Sequence, residues 1–157
     1  MGVIEKLGSE VRGFREGQRV IAGAITPSGH SAACLCGCAS QDGADTRHGF
    51  KAMGGWRFGN TIDGAQAEYL LVPDAIVNLA HVPSGLTDEQ VLMCPDIMST
   101  GFSGAESGGV RIGDCVAIFA QGPIGLCATA GARLMGATRI IAVESVPERQ
   151  DLSLIHI

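Results

Sequence analysis

A glycine turn that follows an apolar run is the part of this sequence whose residue types and spacing could do chemistry. The run begins at Asp114 and reads DCVAIFAQGPIG. Gly122 would let the backbone approach a pyrophosphate without a Cβ in the way, and Gly125 would let the next helix pack closely on the strand. N–H groups at the start of that helix would face the phosphates. The pattern predicts a dinucleotide site at Gly122, Pro123, Ile124 and Gly125.

An acid follows this turn at the distance that a dinucleotide site requires. A second apolar strand, 139–143, ends at Glu144, about 20 residues after Gly122. A carboxylate at this position holds a ribose 2′-hydroxyl and repels a 2′-phosphate, so the sequence predicts NAD in preference to NADP. Ala120 stands where the first glycine of G-x-G-x-x-G is usual. The motif alone therefore also fits a plain strand–turn–helix packing unit.

Cysteines offer a second kind of chemistry, metal binding. The six are expected to be thiols, because no export signal precedes them. Cys34, Cys36 and Cys38 form a C-x-C-x-C cluster that matches neither a zinc ribbon nor a knuckle. His30 and His48 could complete a metal site there, but an irregular surface loop with incidental thiols is the preferred interpretation. The other three have apolar neighbours and are predicted to be small core residues: Cys94, Cys115 and Cys127.

Composition limits the class of protein. The 157 residues include 23 glycines, with 46% hydrophobic and 17% charged residues, which favours a buried α/β protein. A net charge of -5 without a basic cluster argues against a nucleic-acid partner. No apolar run reaches the roughly 18 residues of a membrane span, and no secretory signal begins the chain, so a cytoplasmic location without a membrane partner is expected.

Short strands and a long loop are predicted before the turn. Residues 3–25 show alternation and glycine spacing typical of short strands in a small β-barrel. Residues 26–60 show no period and are expected to form a loop, with Trp56 among its few large anchors. Residues 65–72 are predicted to form a half-buried strand that ends at Pro73.

The chain changes from β to α/β character near Val82. A capping-box pattern at 87–90 predicts a helical turn that Pro95 interrupts. A helix is expected over 99–106, and another over 125–135 with Gly136 as its stop. These elements would surround the strand that leads into the glycine turn.

Four motifs in this order resemble the zinc-dependent medium-chain alcohol dehydrogenases, nearest to their bacterial secondary-alcohol branch. They are GQRV at 17–20, DGAQAEY at 63–69, CPDIMSTG at 94–101 and FAQGPIG at 119–125. The resemblance implies an α/β fold with a GroES-like β-barrel part over 1–82, its first strands missing. The linking helices and the first βαβ of a truncated Rossmann domain with a doubly wound parallel sheet would cover 83–151. It also implies hydride transfer between a secondary alcohol or ketone and NAD(P).

Site residues follow from the same resemblance. Asp96 matches the aspartate of the family's catalytic zinc site, whose cysteine and histidine would precede Met1. Ala24 and Trp56 resemble residues that line the substrate pocket, although Trp56 equally fits a plain loop anchor. No catalytic side chain is assigned in this chain. The cofactors implied are zinc and NAD, the partner is a small alcohol or ketone, and the intact enzyme is expected to be a homo-oligomer.

The chain is expected to be an internal piece of such an enzyme and to lack activity alone, since one carboxylate cannot hold a catalytic zinc. Residues 152–157 resemble a translated sequencing adapter, so His156 is given no function. Two alternatives stay open. One is a non-catalytic nucleotide-binding domain, and the other is a zinc-free quinone reductase of the same superfamily, which Asp96 disfavours.

Overall fold

The computed structural model describes residues 1–43 and 54–155. Its contacts divide the chain into two compact units, Met1–Leu92 and Met93–Ile157. The division by contacts falls ten residues after Val82, where the sequence pattern changes. The assignment of residues to domains stays a prediction.

An antiparallel sheet organises the first unit. Its order is β1-β2-β3, with β1 at Gly2–Val3, β2 at Arg19–Ala22 and β3 at Leu79–His81. Val20 lies in the central strand and is buried, as expected for a β-branched residue on the covered face. The predicted strand at 19–22 is confirmed. Of the strand predicted from residue 3 onwards, β1 contains only its first residue.

Short helices also lie among the described residues of the first unit. Two of them lie within the segment predicted as a loop over 26–60. Ser31 caps the first of these helices, since its side chain accepts a hydrogen bond from Cys34 N at 3.2 Å. The second is a 3-10 helix. The helices are α1 (Ala32–Leu35), the 3-10 helix (Ala39–Gln41), α2 (Ala75–Asn78) and α3 (Asp88–Leu92).

The predicted capping box at the start of α3 is confirmed. Thr87 N donates to Gln90 Oε1 at 2.9 Å, and Gln90 N donates to Thr87 Oγ1 at 3.4 Å. Two helix N–H groups that would otherwise have no partner in the helix are thereby satisfied. Val91, on the inner side of this helix, is buried.

The strand predicted over 65–72 is wrong. Residues 65–68 form a bend, and 69–72 have no regular structure. The three-stranded sheet of the described residues does not include this segment, and an extended segment without a neighbouring strand cannot form a ladder. Tyr69 and Leu71 are therefore 74% and 76% exposed instead of half-buried.

A parallel βαβ organises the second unit. β4 and β5 pair in parallel from Cys115↔Arg139 to Phe119↔Val143, and α5 connects them. The predicted strand, turn, helix and second strand are thus confirmed, and Gly136, with φ 99°, follows α5 as expected. The elements are a π-helix (Cys94–Met98), α4 (Ser99–Ser107), β4 (Cys115–Phe119), α5 (Pro123–Leu134), β5 (Arg139–Val143) and α6 (Pro147–Ser153).

A π-helix stands where Pro95 was predicted to interrupt the chain. Met98 N donates to Met93 O at 2.9 Å, which is a bond between residues five apart. Pro95 lies in the first turn, where its missing N–H has no helical partner to lose. The chain therefore continues through a widened turn into α4 without a break. Single π-turns of this kind occur frequently at functional sites.

Polar side chains are prominent among the most buried groups. Gln121, Thr26 and Thr129 are each fully buried, and Asp42 is 1% exposed. The prediction that Cys115 is a core residue is wrong, because alternate residues of β4 point outward and Cys115 is among them. Cys94 and Cys127 are half-buried.

Candidate functional site

The turn between β4 and α5 has the geometry that the glycine motif predicts. Ala120 adopts φ 66°, the left-handed region that glycine usually fills, so the position does require the unusual conformation although the residue is alanine. Gly122 is the N-cap of α5 with extended backbone, and Pro123 begins the helix. The first bond of α5 runs from Leu126 N to Gly122 O at 2.9 Å.

The two glycines of the turn serve different purposes. A Cβ added at Gly125 would overlap the carbonyl oxygen of Ala120, so only glycine allows α5 to approach the turn this closely. A Cβ added at Gly122 would meet nothing within 4 Å. The space above Gly122 is open, as a backbone that receives a diphosphate requires. Pro123 and Ile124, at the start of the helix, are exposed.

Glu144 lies at the end of β5 and is bonded directly to the turn. Its Oε2 accepts a hydrogen bond from Gln121 N at 2.8 Å, and its Oε1 accepts from Ser145 N at 2.7 Å and Val146 N at 3.0 Å. Hydrogen bonds to the carboxylate lower the pKa of Glu144 to about 2. The bond from Gln121 N makes the largest contribution, and the bond from Val146 N makes the next largest. Arg149 Nη1 lies 3.8 Å from the carboxylate. The group is therefore ionised at neutral pH.

Oε1 of Glu144 also accepts a hydrogen bond from Ser145 Oγ at 3.5 Å, so three of the four bonds are made to Oε1 and one to Oε2. Because each carboxylate oxygen has about two lone-pair sites, Oε2 retains acceptor capacity. The side chain of Glu144 is only 5% exposed, so an approaching group reaches a small part of it. The structure brings Glu144 and the glycine turn together, as the spacing predicts. It also shows that the carboxylate holds the turn, which the sequence motif does not reveal.

Gln121 is a residue of the site that the sequence analysis missed. Its side chain is fully buried; Oε1 accepts from Thr129 Oγ1 at 3.0 Å, and Nε2 donates to Ile118 O at 3.2 Å. A glutamine in a glycine turn ordinarily indicates an exposed loop position. Only the packing of α5 on β4 reveals that it is buried.

Asp96 lies in the π-helix and its side chain is exposed. Thr100 Oγ1 donates to Asp96 Oδ1 at 3.3 Å, and Ser99 Oγ donates to the Asp96 carbonyl at 3.0 Å. A carboxylate oxygen is a suitable zinc ligand, and both oxygens retain lone pairs. Within residues 1–43 and 54–155, however, no three His, Cys, Asp or Glu side chains converge to hold a metal. Asp96 alone does not form a zinc site.

The C-x-C-x-C cluster gives no metal site among the described residues either. Cys34 is half-buried, whereas Cys36 and Cys38 are exposed. The Nδ1 atom of His30 lies 2.9 Å from Ser28 O. The possible ligand His48 lies outside the described residues.

A buried carboxylate beside this cluster was also missed. Asp42 accepts hydrogen bonds from Ser28 N at 2.7 Å and Ser28 Oγ at 3.0 Å. Burial raises the pKa of Asp42, but hydrogen bonds from Ser31, from Ser28 and from Cys34 outweigh burial and lower it to about 2. Asp42 is therefore charged, and its hydrogen bonds stabilise the loop that carries the cysteines.

Ala24 and Trp56, the two residues expected to line a substrate pocket, are both exposed, with Trp56 at 59%. Trp56 O accepts a hydrogen bond from Asn60 Nδ2 at 2.9 Å. Trp56 is thus not buried as a loop anchor, which leaves its ring accessible. In the part of the chain that the structure describes, no helix has the length and apolar character to cross a membrane.

A unit organised by an antiparallel sheet, followed by a parallel βαβ with a glycine turn, is the arrangement of a nucleotide-dependent dehydrogenase of the α/β class. The sequence profile of the alcohol dehydrogenase GroES-like domain matches residues 1–84. The chain belongs to the alcohol dehydrogenase family that carries this domain. The predicted fold class, a GroES-like part followed by the start of a Rossmann sheet, is confirmed.

Two relatives illustrate the similarity in sequence. An alcohol dehydrogenase of Cupriavidus necator is 65% identical over 160 residues, which cover 98% of this chain and 44% of the relative. An NADP-dependent isopropanol dehydrogenase of Thermoanaerobacter brockii is 42% identical over 147 residues, which cover 94% and 40%. The chain spans less than half the length of these curated relatives.

A solved structure shows the same similarity in fold. The alcohol dehydrogenase of Thermus sp. ATN1 superposes with a TM-score of 0.84 at 32% identity, covering 99% of this chain and 43% of that one. The chain is therefore similar in fold to a solved alcohol dehydrogenase.

Proposed function

We propose that this chain is part of a zinc-dependent oxidoreductase that transfers hydride between a secondary alcohol or ketone and a nicotinamide dinucleotide. Membership of the alcohol dehydrogenase family supports this activity. The observation that carries the proposal is the turn from Ala120 to Gly125, with its left-handed residue, its open glycine and Glu144 bonded to its backbone. The whole activity is a proposal because the chain spans 44% of the Cupriavidus relative.

The dinucleotide would lie with its diphosphate over Gly122, Pro123, Ile124 and Gly125. The open space at Gly122 fits a diphosphate that contacts the backbone directly. The positive end of the α5 dipole and the N–H groups of its first turn favour an anion there. The bound cofactor would supply the hydride acceptor, and these residues would orient it.

We further propose NAD in preference to NADP. Glu144 is ionised at neutral pH because its pKa is about 2, so its charge opposes a 2′-phosphate at the end of β5. Four relatives between 37% and 42% identical are named NADP-dependent isopropanol dehydrogenases, including one named as probable. We expect Glu144 to set this chain apart from them.

Asp96 would be one zinc ligand of the intact enzyme. Its exposed carboxylate and the Thr100 hydroxyl that orients it support this role. Ala24 and Trp56 would contact the alcohol or ketone, and their exposure is compatible with a pocket wall. The homo-oligomeric state and the cytoplasmic location stay predictions.

The activity is tested in a protein of the relatives' full length that contains these residues. We expect it to reduce NAD⁺ with 2-propanol and to do so more efficiently than NADP⁺. Asp96→Asn should lower kcat by at least about 100-fold and reduce the zinc content, since a neutral amide is a poor zinc ligand. Thr100→Val, which removes only the orienting hydroxyl, should retain zinc. A zinc-free wild-type protein with unchanged alcohol oxidation would contradict the proposal.

Cofactor preference has its own test. Glu144→Gln removes the charge that opposes the 2′-phosphate, so the ratio of kcat/KM for NAD⁺ to that for NADP⁺ should fall about tenfold. Asp151→Asn, an exposed charge change in α6, is the matched control and should leave the ratio unchanged. An unchanged ratio in Glu144→Gln would show that this carboxylate does not select the cofactor.

A further inference from the structure

Gln121 ties the dinucleotide turn to the two elements beside it. A fully buried amide is costly unless its polar atoms are bonded, and both atoms of this one are. Nε2 donates to Ile118 O in β4 at 3.2 Å, and Oε1 accepts from Thr129 Oγ1 in α5 at 3.0 Å. The side chain thus joins the strand before the turn to the second turn of the helix after it.

The backbone of the turn is also held by the end of β5. Ala120 N donates to Val143 O at 2.8 Å, and Gln121 N donates to Glu144 Oε2 at 2.8 Å. Between these bonds Ala120 keeps its left-handed conformation, which a non-glycine residue holds only when its surroundings enforce it. The side chain of Gln121 and the N–H groups of the turn therefore fix the same backbone shape through separate partners.

We propose that Gln121 is a positioning residue, with Thr129 as its anchor, that holds the turn in its diphosphate-binding shape before the dinucleotide arrives. This inference rests on the proposed dinucleotide site. Gln121 acts through the backbone of the turn and does not itself contact the diphosphate. When the turn already has its binding shape, none of the binding free energy is lost in ordering it. Loosening the turn should therefore weaken the binding of a ligand that contacts its backbone.

Substitutions at Thr129 test this role with a matched pair. Thr129→Val removes the hydroxyl that bonds Gln121 and keeps the branched shape, whereas Thr129→Ser keeps the hydroxyl and removes a methyl group. Affinities of a protein of the relatives' full length that contains these residues are measured by calorimetry for ADP-ribose, which contains the diphosphate, and for adenosine, which lacks it. Thr129→Val should bind ADP-ribose about tenfold more weakly, because Oε1 of Gln121 loses its partner.

Adenosine separates positioning from a general loss of structure. Thr129→Val should change adenosine affinity less than about twofold, and Thr129→Ser should retain ADP-ribose affinity within about threefold. Hydrogen exchange of the amides from Ala120 to Gly125 should be faster in Thr129→Val than in Thr129→Ser. If Thr129→Val fails to fold, Gln121→Met, which removes both side-chain bonds without leaving an unpaired amide, takes its place in the same comparison.

The outcomes distinguish this inference from the proposed function. A full-length wild-type protein that binds no ADP-ribose contradicts the dinucleotide site, and the positioning role falls with it. A full-length wild-type protein that binds ADP-ribose, with Thr129→Val binding it equally well, contradicts only the positioning role. An equal loss for adenosine and ADP-ribose also contradicts it, because Gln121 would then merely stabilise the second unit.

Discussion

The two glycines of the dinucleotide turn should differ in how much stability is lost when each is changed to alanine. Gly125→Ala places a methyl group against the carbonyl of Ala120, so α5 must move away from the turn. We expect a loss of about 3 kcal/mol in the free energy of unfolding, measured with urea. Gly122→Ala is the control, since its methyl group meets nothing within 4 Å and its φ of -72° suits alanine. Equal stability of the two variants would contradict the close approach.

The same residues show how far a sequence can predict a site. Gly122, Gly125 and Glu144 were predictable because close approach and charge at fixed spacing leave a pattern along the chain. Gln121 and Asp42 were not, because a buried polar side chain is recognised only by partners distant in sequence, such as Thr129 and Ser28. Asp96 was found through the resemblance of its neighbours, and its role as a zinc ligand stays a proposal.

At the scale of elements, α4 and α5 pack through a glycine. A Cβ at Gly101 would lie 2.6 Å from Cys127 Cβ and 2.7 Å from both Ala128 N and Ile124 O. Two of these three atoms belong to the backbone of α5 and cannot rotate away. Gly101→Ala should therefore destabilise the protein by about 2–3 kcal/mol, measured by chemical denaturation.

Gly104 provides the control for Gly101 within the same helix. An added Cβ there meets nothing within 4 Å. Gly104→Ala should stabilise the protein by about 0.5–1 kcal/mol, because alanine is the better helix former. If both substitutions changed the stability in the same direction, the helices would not be in close contact at Gly101.

α2 is joined to the loop before it by one side chain. Nδ2 of Asn78 donates to Pro27 O at 2.9 Å, to Pro73 O at 3.0 Å and to Asp74 O at 3.2 Å, and the residue is buried. Asn78→Ala leaves these carbonyls without that donor and should cost about 2 kcal/mol, measured by thermal unfolding. Asn60→Ala, at an exposed asparagine that donates to Trp56 O, should cost less than about 0.5 kcal/mol.

Elements were predictable where their signals are local. The capping box of α3 and the glycine after α5 lie within a few residues of the ends they mark, and both predictions hold. The strand predicted over 65–72 failed because a strand needs a partner, and alternation along one segment does not supply it. The π-helix at Cys94–Met98 leaves no signal other than Pro95, and a proline by itself indicates a break in a helix.

At the scale of the whole molecule, two carboxylates make the folded state sensitive to acid, one in each unit. The pKa of Asp42 falls from 3.8 to about 2, and that of Glu144 falls from 4.5 to about 2. Because both values are lower in the folded than in the unfolded chain, their stabilisation is complete above about pH 5 and is lost as the pH falls towards 2. We expect the urea midpoint to decrease over this interval.

Two variants test whether these carboxylates cause the loss of stability in acid. Asp42→Asn and Glu144→Gln should each be less stable than the wild type at pH 7 and approach its stability near pH 2, so each gives a flatter pH profile. Asp63→Asn, an exchange in the loop before Tyr69, is the control and should leave the profile unchanged. Profiles parallel to the wild type for the first two variants would show that neither carboxylate carries the acid response.

Ala120 has a consequence for attempts to make this protein more resistant to heat. Its methyl group costs about 1 kcal/mol in a left-handed conformation, yet it also narrows the range of shapes open to the chain before folding. Ala120→Gly would relieve the first effect and forfeit the second, and because the strain is the larger of the two, the melting temperature should rise slightly. Restoring a glycine at this one position is therefore a simple way to make the protein more resistant to heat.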